Sequence, residues 1–204
     1  PPVLVMVTAA DGYRAAIRQR LAGSGYPLRL ALEEGLADAT AWREVGEIIP
    51  SSTWLDVLPS APWRAVLLPF RDYPQASDLL SGTLRNPVSR CAHEALLAGI
   101  PVLALRYHCD PHSELNQLRG AQAGSAYAGH LQATLARLEA CGVFLGTMNE
   151  LLAKLDAPTA PAAASSEPRR YLTVTDVVNN PALAAAPRAQ LTDAAIDYLK
   201  NRKI

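Results

Sequence analysis

The sequence predicts one α/β domain on a mostly parallel sheet, and three observations carry that expectation. Short apolar runs at Val3 to Val7, Leu28 to Leu32, Ala65 to Leu68 and Val102 to Leu105 lack the polar alternation of a half-exposed strand, as suits strands buried on both faces. The segments between them repeat apolar residues at helical spacing, which gives the order strand, crossover helix, strand. At 204 residues the chain is of one-domain size and long enough to bury a sizeable core.

Bulk properties narrow the function classes. Half of the residues are hydrophobic, while Lys plus Arg and Asp plus Glu number 19 each, so no net field recruits nucleic acid or an anionic membrane. No apolar run approaches the roughly 20 residues of a spanning helix. The opening PPVLVMVTAADG lacks the basic region and cleavage site of a secretory signal. A cytoplasmic protein with no nucleic-acid or membrane partner is the expectation. Cys91, Cys109 and Cys141 are an odd and sparse set, which suits reduced thiols rather than a disulfide framework.

Val3 to Val7 reads as the central first strand. Thr8, Ala9, Ala10, Asp11 and Gly12 form a small-residue turn, and a helix follows from Tyr13 to Leu21 with Tyr13, Ala16, Ile17 and Leu21 on one face. Gly23 and Gly25 end it before the second strand, Leu28 to Leu32. From Glu33 to Pro62 glycines, serines and prolines punctuate patches such as Val45, Ile48 and Ile49, which predicts a short helix and loops. Trp42, Trp54 and Trp63 anchor this irregular backbone to a core or a subunit interface. A crossover helix joins the strands at 65–68 and 102–105, with Ser89 to Ala98 in its helical stretch. Pro111 opens a long helix reaching Ala140, with interruptions at Gly120 and Gly124. Gly142 stops it, Val143 to Leu145 is a further strand, and Met148 to Leu155 is a helix. Ala157 to Pro168 is a proline-rich linker that separates a domain at 1–156 from a tail at 169–204. In the tail, Tyr171 to Val174 reads as a strand, Thr175 as a cap, and Thr192 as the cap of a terminal helix, Asp193 to Asn201.

Three clusters carry candidate chemistry. The turn Thr8 to Gly12 sets backbone N–H groups at a helix amino terminus, where phosphate is favoured; Asp11 competes as a negative charge and as a carboxylate able to cap the helix itself. The loop Pro69 to Gln75 follows a strand, the place where open α/β sheets bind small molecules. It offers Arg71 for a bidentate anion contact and Tyr73 for stacking, with an Arg71–Asp72 salt bridge as the alternative that silences both. His108, Cys109, Asp110 and His112 are four metal-ligand types within five residues, but Pro111 breaks the helical spacing that would bring both histidines onto one ion. A turn around a reduced structural cysteine is the plainer expectation. His93 and His130 sit on helices with no partner visible in sequence. HEALLAGIPVLAL is similar to the motif before the donor-binding strand of nucleotide-sugar glycosyltransferases, enzymes that need two full α/β domains.

Taken in order, VLVMVTAADGYRAA, VLLPFRDYPQASDLLSG, CAHEALLAGIPVLAL and GVFLG resemble the flavoprotein family that includes phosphopantothenoylcysteine decarboxylase, the peptidyl-cysteine decarboxylases of lantibiotic synthesis and the second subunit of dipicolinate synthase. The likeness runs from Val3 to Leu155. It implies a Rossmann-like three-layer sandwich, a homotrimer or higher homo-oligomer, and FMN bound near a subunit interface. It places Thr8, Ala9, Ala10 and Gly12 in the phosphate-binding turn, and Pro69, Phe70, Arg71 and Tyr73 in the flavin-side loop. Arg106 and Tyr107 follow the strand that bears the substrate-adjacent motif. The family's PASANT loop reads PFRDYPQAS here, its PxMNxxM segment reads RYHCDPH, and TWLDVLPSAPWR holds no counterpart of the decarboxylases' histidine. No catalytic residue is assigned for that reason. The resemblance implies a protein that binds FMN or a related phosphorylated ligand, with redox or decarboxylase-like chemistry belonging to the flavin. The departures imply the alternative, a cofactor-free scaffold of the same fold that docks a protein partner through its C-terminal tail.

Overall fold

The computed structural model describes residues 1–157 together with Tyr171–Leu172 and Gln190–Leu191. Six strands form one all-parallel sheet: β1 (Val3–Val7), β2 (Leu28–Leu32), β3 (Glu47–Ile48), β4 (Ala65–Leu68), β5 (Val102–Leu105) and β6 (Val143–Gly146), in the spatial order 3-2-1-4-5-6. The helices are α1 (Arg14–Ala22), α2 (Ala39–Trp42), α3 (Tyr73–Ser81), α4 (Pro87–Leu97), α5 (Glu114–Leu118), α6 (Ala126–Ala140) and α7 (Met148–Asp156). This is the α/β Rossmann-like three-layer fold that the sequence predicts.

The period-2 geometry of a strand explains the layers. Leu4, Met6, Val66, Leu68, Val102 and Ala104 cluster with Ala76 and Leu79 of α3, Cys91 and Ala95 of α4, and Leu135 and Leu138 of α6. Their strand neighbours Val3, Val5, Val7, Leu67 and Leu103 cluster with Ile17 and Leu21 of α1, Trp42 of α2, and Leu151 and Leu155 of α7. Both faces of every central strand are covered, which is why the strand sequences show no alternation.

Local outcomes refine the sequence expectation at three places. The crossover between β4 and β5 is two helices rather than one. Gly82 ends α3 in the left-handed region (φ 73), and the Asp78 carboxylate accepts from Thr83 Oγ1, Arg85 N and Asn86 N. Burial pushes the other way, but these donors hold the Asp78 carboxyl down at about 2. Asn86 then caps α4, with Pro87 at its first position. The long helix towards Ala140 is interrupted between Gly120 and Gly124 as the sequence predicts, giving α5 and α6, though its first part begins at Glu114 rather than Pro111: Gly120 turns left-handed (φ 90) and Ser125 restarts the helix by accepting from Ala128 N. In the 33–62 region a two-residue edge strand, β3, joins the short helix. All three tryptophans enter cores, Trp42 at 0%, Trp54 at 2% and Trp63 at 7% exposure.

Contacts divide the chain into Pro1–Pro158 and Thr159–Ile204. Within the second unit β7 (Tyr171–Leu172) pairs in parallel with β8 (Gln190–Leu191), Tyr171 opposite Gln190. The rest of the expected linker after Ala157, the strand residues Thr173 and Val174, the caps Thr175 and Thr192, and the helix Asp193 to Asn201 lie outside the described residues. No described helix is long and apolar enough to cross a membrane.

The central strand sets the stability scale. Leu4 is fully buried and Leu97 is 76% exposed. Leu4→Ala is expected to lower the urea unfolding free energy by about 2–5 kcal/mol, and Leu97→Ala to change it by no more than about 0.5 kcal/mol; equal effects would contradict this packing.

Candidate functional site

The strand order reverses beside β1. β2 flanks β1 on one side and β4 on the other, while α1 joins one core and α3 the other. The loops after β1 and β4 therefore leave the sheet towards opposite faces and open a crevice at its carboxyl edge, where α/β proteins take ligands. Thr8, 3% exposed, bridges the two loops by donating from Oγ1 to the Phe70 carbonyl at 3.1 Å.

The β1 turn is organised through its carbonyl oxygens. Arg14 Nη1 donates to the Thr8 and Ala10 carbonyls at 2.6 and 2.8 Å, and Arg119 Nη2 donates to that of Asp11 at 2.9 Å. His108 Nε2 lies 3.1 Å from the Gly12 carbonyl. Two turn amides meet carboxylates: Ala9 N donates to Glu33 at 2.7 Å and Gly12 N to Asp11 at 2.8 Å. Asp11 thus bonds within the turn instead of capping α1, whose N-cap position is Tyr13 in the left-handed region (φ 55). The remaining Arg14 donors make a bidentate pair with Asp38, 2.8 and 2.9 Å, and its guanidinium carbon sits 4.3 Å from the centre of the Phe70 ring. Such a fork, with a ring beneath it, fixes the guanidinium plane.

Arg71 is the opposite case. It is 1% exposed, and none of Nε, Nη1 and Nη2 has a hydrogen-bond partner among the described residues. The expected alternative pairing does not form, because Asp72 caps α3 by accepting from Gln75 N at 3.0 Å. Burial lowers the Arg71 pKa to about 10, so the side chain is charged at neutral pH. The nearby Cys109 thiol does not neutralise it: burial pushes that thiol up to about 11, with the Arg71 charge pulling the other way. A buried charge without a hydrogen-bonded acceptor costs several kcal/mol, and here the nearby Asp72 carboxylate opposes the effect of burial only in part.

The loop after β5 folds around Asp110, itself 7% exposed. Asp110 accepts from Arg106 Nε (2.9 Å), His112 N (2.9 Å) and Gln132 Nε2 (2.8 Å). The four metal-ligand types of this loop therefore serve different partners. His108 packs edge-on against Phe70 with ring centres 5.7 Å apart, and burial holds its pKa below the ordinary value. Its Nδ1, like the indole nitrogens of Trp42 and Trp54, is buried without a hydrogen-bond partner among the described residues. Among the described residues no three His, Cys, Asp or Glu side chains are grouped to hold a metal.

The residues singled out in the sequence fall into separate places. Thr8, Ala9 and Ala10 line a polar cleft of about 340 Å³ with Glu33, Asp72 and Gln75. Arg106 and Tyr107 line a different cavity of about 510 Å³ beside α1. Tyr73 borders a third, of about 310 Å³, with His108 and Cys109, and its hydroxyl lies 2.8 Å from His130 Nε2. Phe70 and Arg71 are buried beneath this edge. Arg14, Glu33 and Asp38 escaped sequence reasoning; the position of Glu33 directly after β2 was the available signal. No protein-family model matches the chain, and no curated protein matches it.

The Arg14–Asp38 pair gives an acid-side test. Hydrogen bonds from Arg14 hold the Asp38 carboxyl below its ordinary range, with burial opposing. A depressed carboxylate contributes stability that is fully present above its unfolded pKa of about 3.9 and is lost as pH falls through its folded value. Urea unfolding followed downwards from about pH 5 should show a shallower acid loss in Arg14→Leu than in the parent, and matching slopes would remove this pair from the account.

Proposed function

We propose that the chain binds FMN or a related phosphorylated ligand at the sheet reversal, with Arg71 as the counter-charge for its anionic group. The buried guanidinium without an acceptor carries this reading, since ligand binding supplies what the fold leaves out. The residues after β4 fit an anion better than the β1 turn does, because two turn amides already serve Glu33 and Asp11. Pro69, Phe70 and Tyr73 would flank the bound group, Thr8, Ala9, Ala10 and Gly12 would border it from β1, and Arg106 and Tyr107 would stand further along the edge. Bound FMN would supply electron transfer or decarboxylase-like chemistry from its own ring. A homotrimer or higher homo-oligomer, with the ligand near a subunit interface, belongs to the same reading.

A second reading rests on the same two carboxylates. With Glu33 and Asp11 on the turn, the protein would be a cofactor-free scaffold of this fold whose tail docks a protein partner. The two readings differ in one titration. Under the first, FMN at a hundredfold excess over its Kd stabilises the fold by about 2.7 kcal/mol, visible as a raised melting temperature and a yellow protein after desalting. Arg71→Met should abolish that gain while melting no lower than the parent without FMN, since replacing an unpartnered buried charge by an apolar side chain is neutral or stabilising. A colourless parent whose melting FMN does not move would favour the scaffold.

A further inference from the structure

We propose that the cavity of about 510 Å³ beside α1 is a second binding site, for a small organic acid with a flat apolar body and a single carboxylate. Its volume falls in the range of small-molecule sites. Ile17, 3% exposed, Leu115 at 9% and Met148 at 5% give it an apolar floor. Tyr13 and Tyr107 stand at one side, ring centres 5.7 Å apart and 82° between planes, so that a flat body can lie on one ring against the edge of the other.

The polar end is rich in donors. Tyr107 Oη accepts from Met148 N at 2.8 Å, which leaves its hydroxyl proton to donate elsewhere, whereas the Thr147 hydroxyl is engaged with Glu150. Arg106 uses Nε on Asp110, and its two Nη groups make no hydrogen bond among the described residues. Asp110 competes little as an acceptor, since it already takes three donors. Exposed Glu114 on the rim is the other carboxylate of the lining. Together with Asp110 it balances the two arginines of the lining, Arg20 and Arg106, so the cavity carries no surplus positive charge and a monoanion is a better match than a doubly charged phosphate.

Backbone strain is the independent observation. Tyr13 adopts φ 55 and ψ 16, a region that costs a bulky side chain energy and that clusters at ligand clamps. The turn bonds through Arg14, Arg119 and His108 hold the residue there. The strain keeps the Tyr13 ring at the cavity mouth, 41% exposed. Arg71 is not part of this lining, so Arg71→Met, which removes the proposed counter-charge for FMN, should leave naphthoate binding here unchanged.

The test uses the full chain and 2-naphthoate as probe, followed by calorimetry and by amide shifts in ¹⁵N-labelled protein. Naphthoate should bind saturably and move the Tyr13, Tyr107 and Met148 signals, and 2-naphthalenemethanol should bind about tenfold more weakly, the loss of one charge-assisted hydrogen bond. Tyr13→Gly relieves the left-handed strain and should melt no lower than the parent, yet bind naphthoate several-fold more weakly. No saturable binding up to the solubility limit, equal affinity for the alcohol, unchanged affinity in Tyr13→Gly, or displacement of naphthoate by FMN would each overturn the proposal.

Discussion

The guanidinium of Arg14 holds the carboxyl edge of the sheet together. It ties the turn after β1 to itself through two carbonyls, to the segment before α2 through Asp38, and to the loop after β4 by lying on Phe70. Phe70 in turn meets Trp42 and His108 edge-on. The walls of the crevice thus owe their positions to one planar cation whose donors have acceptors on two segments and whose face lies on a ring of the third. Arg71, one residue beyond Phe70, is 1% exposed and has no hydrogen-bond acceptor among the described residues. Fixed walls around a buried cation are the arrangement that the proposed anion binding would use.

The contrast also bears on where the proposed anion would bind. A strand-to-helix turn attracts phosphate when its amides point outwards, but here cationic and imidazole donors gather the turn's carbonyls and carboxylates take two of its amides. The positive potential has moved from backbone to side chain. The cleft lined by Thr8, Glu33 and Asp72 is polar and acidic, whereas the cavity lined by Tyr13, Arg106 and Tyr107 is largely apolar with hydroxyl and guanidinium donors. One sheet edge therefore presents two environments of different chemistry.

The fold was legible in the sequence because burial on both faces leaves an uninterrupted signature. Val3 to Val7, Leu28 to Leu32, Ala65 to Leu68 and Val102 to Leu105 are strands with the bounds their apolar runs suggest. The glycines at 120 and 124 marked the break between α5 and α6, but helix number between β4 and β5 was less legible, since composition favours helix through Gly82 while the break depends on that left-handed glycine and on the cap at Asn86. The edge strand β3 left almost no trace, because two residues carry no periodicity. Of the candidate site, the loop after β4 and Arg71 could be picked out by position. The bonds of Arg14 to the turn, of Glu33 to Ala9 and of His108 to Gly12 could not, because the last two join residues 24 and 96 positions apart, and all three depend on side-chain orientation.

The placement of β1 has a consequence for how the chain reaches this state. VLVMV pairs with β2 soon after it in sequence, but its other edge waits for β4, Val3 joining Ala65. During synthesis the most hydrophobic strand of the domain stays half-paired while roughly thirty residues between β2 and β4 are added, a few seconds at ribosomal speed. An unpaired apolar edge of that kind templates association between nascent chains. Solubility in the cell is thereby tied to the rate at which translation passes from the β2 codons to those of β4, and synonymous changes in that interval would alter yield without altering a single contact of the finished protein.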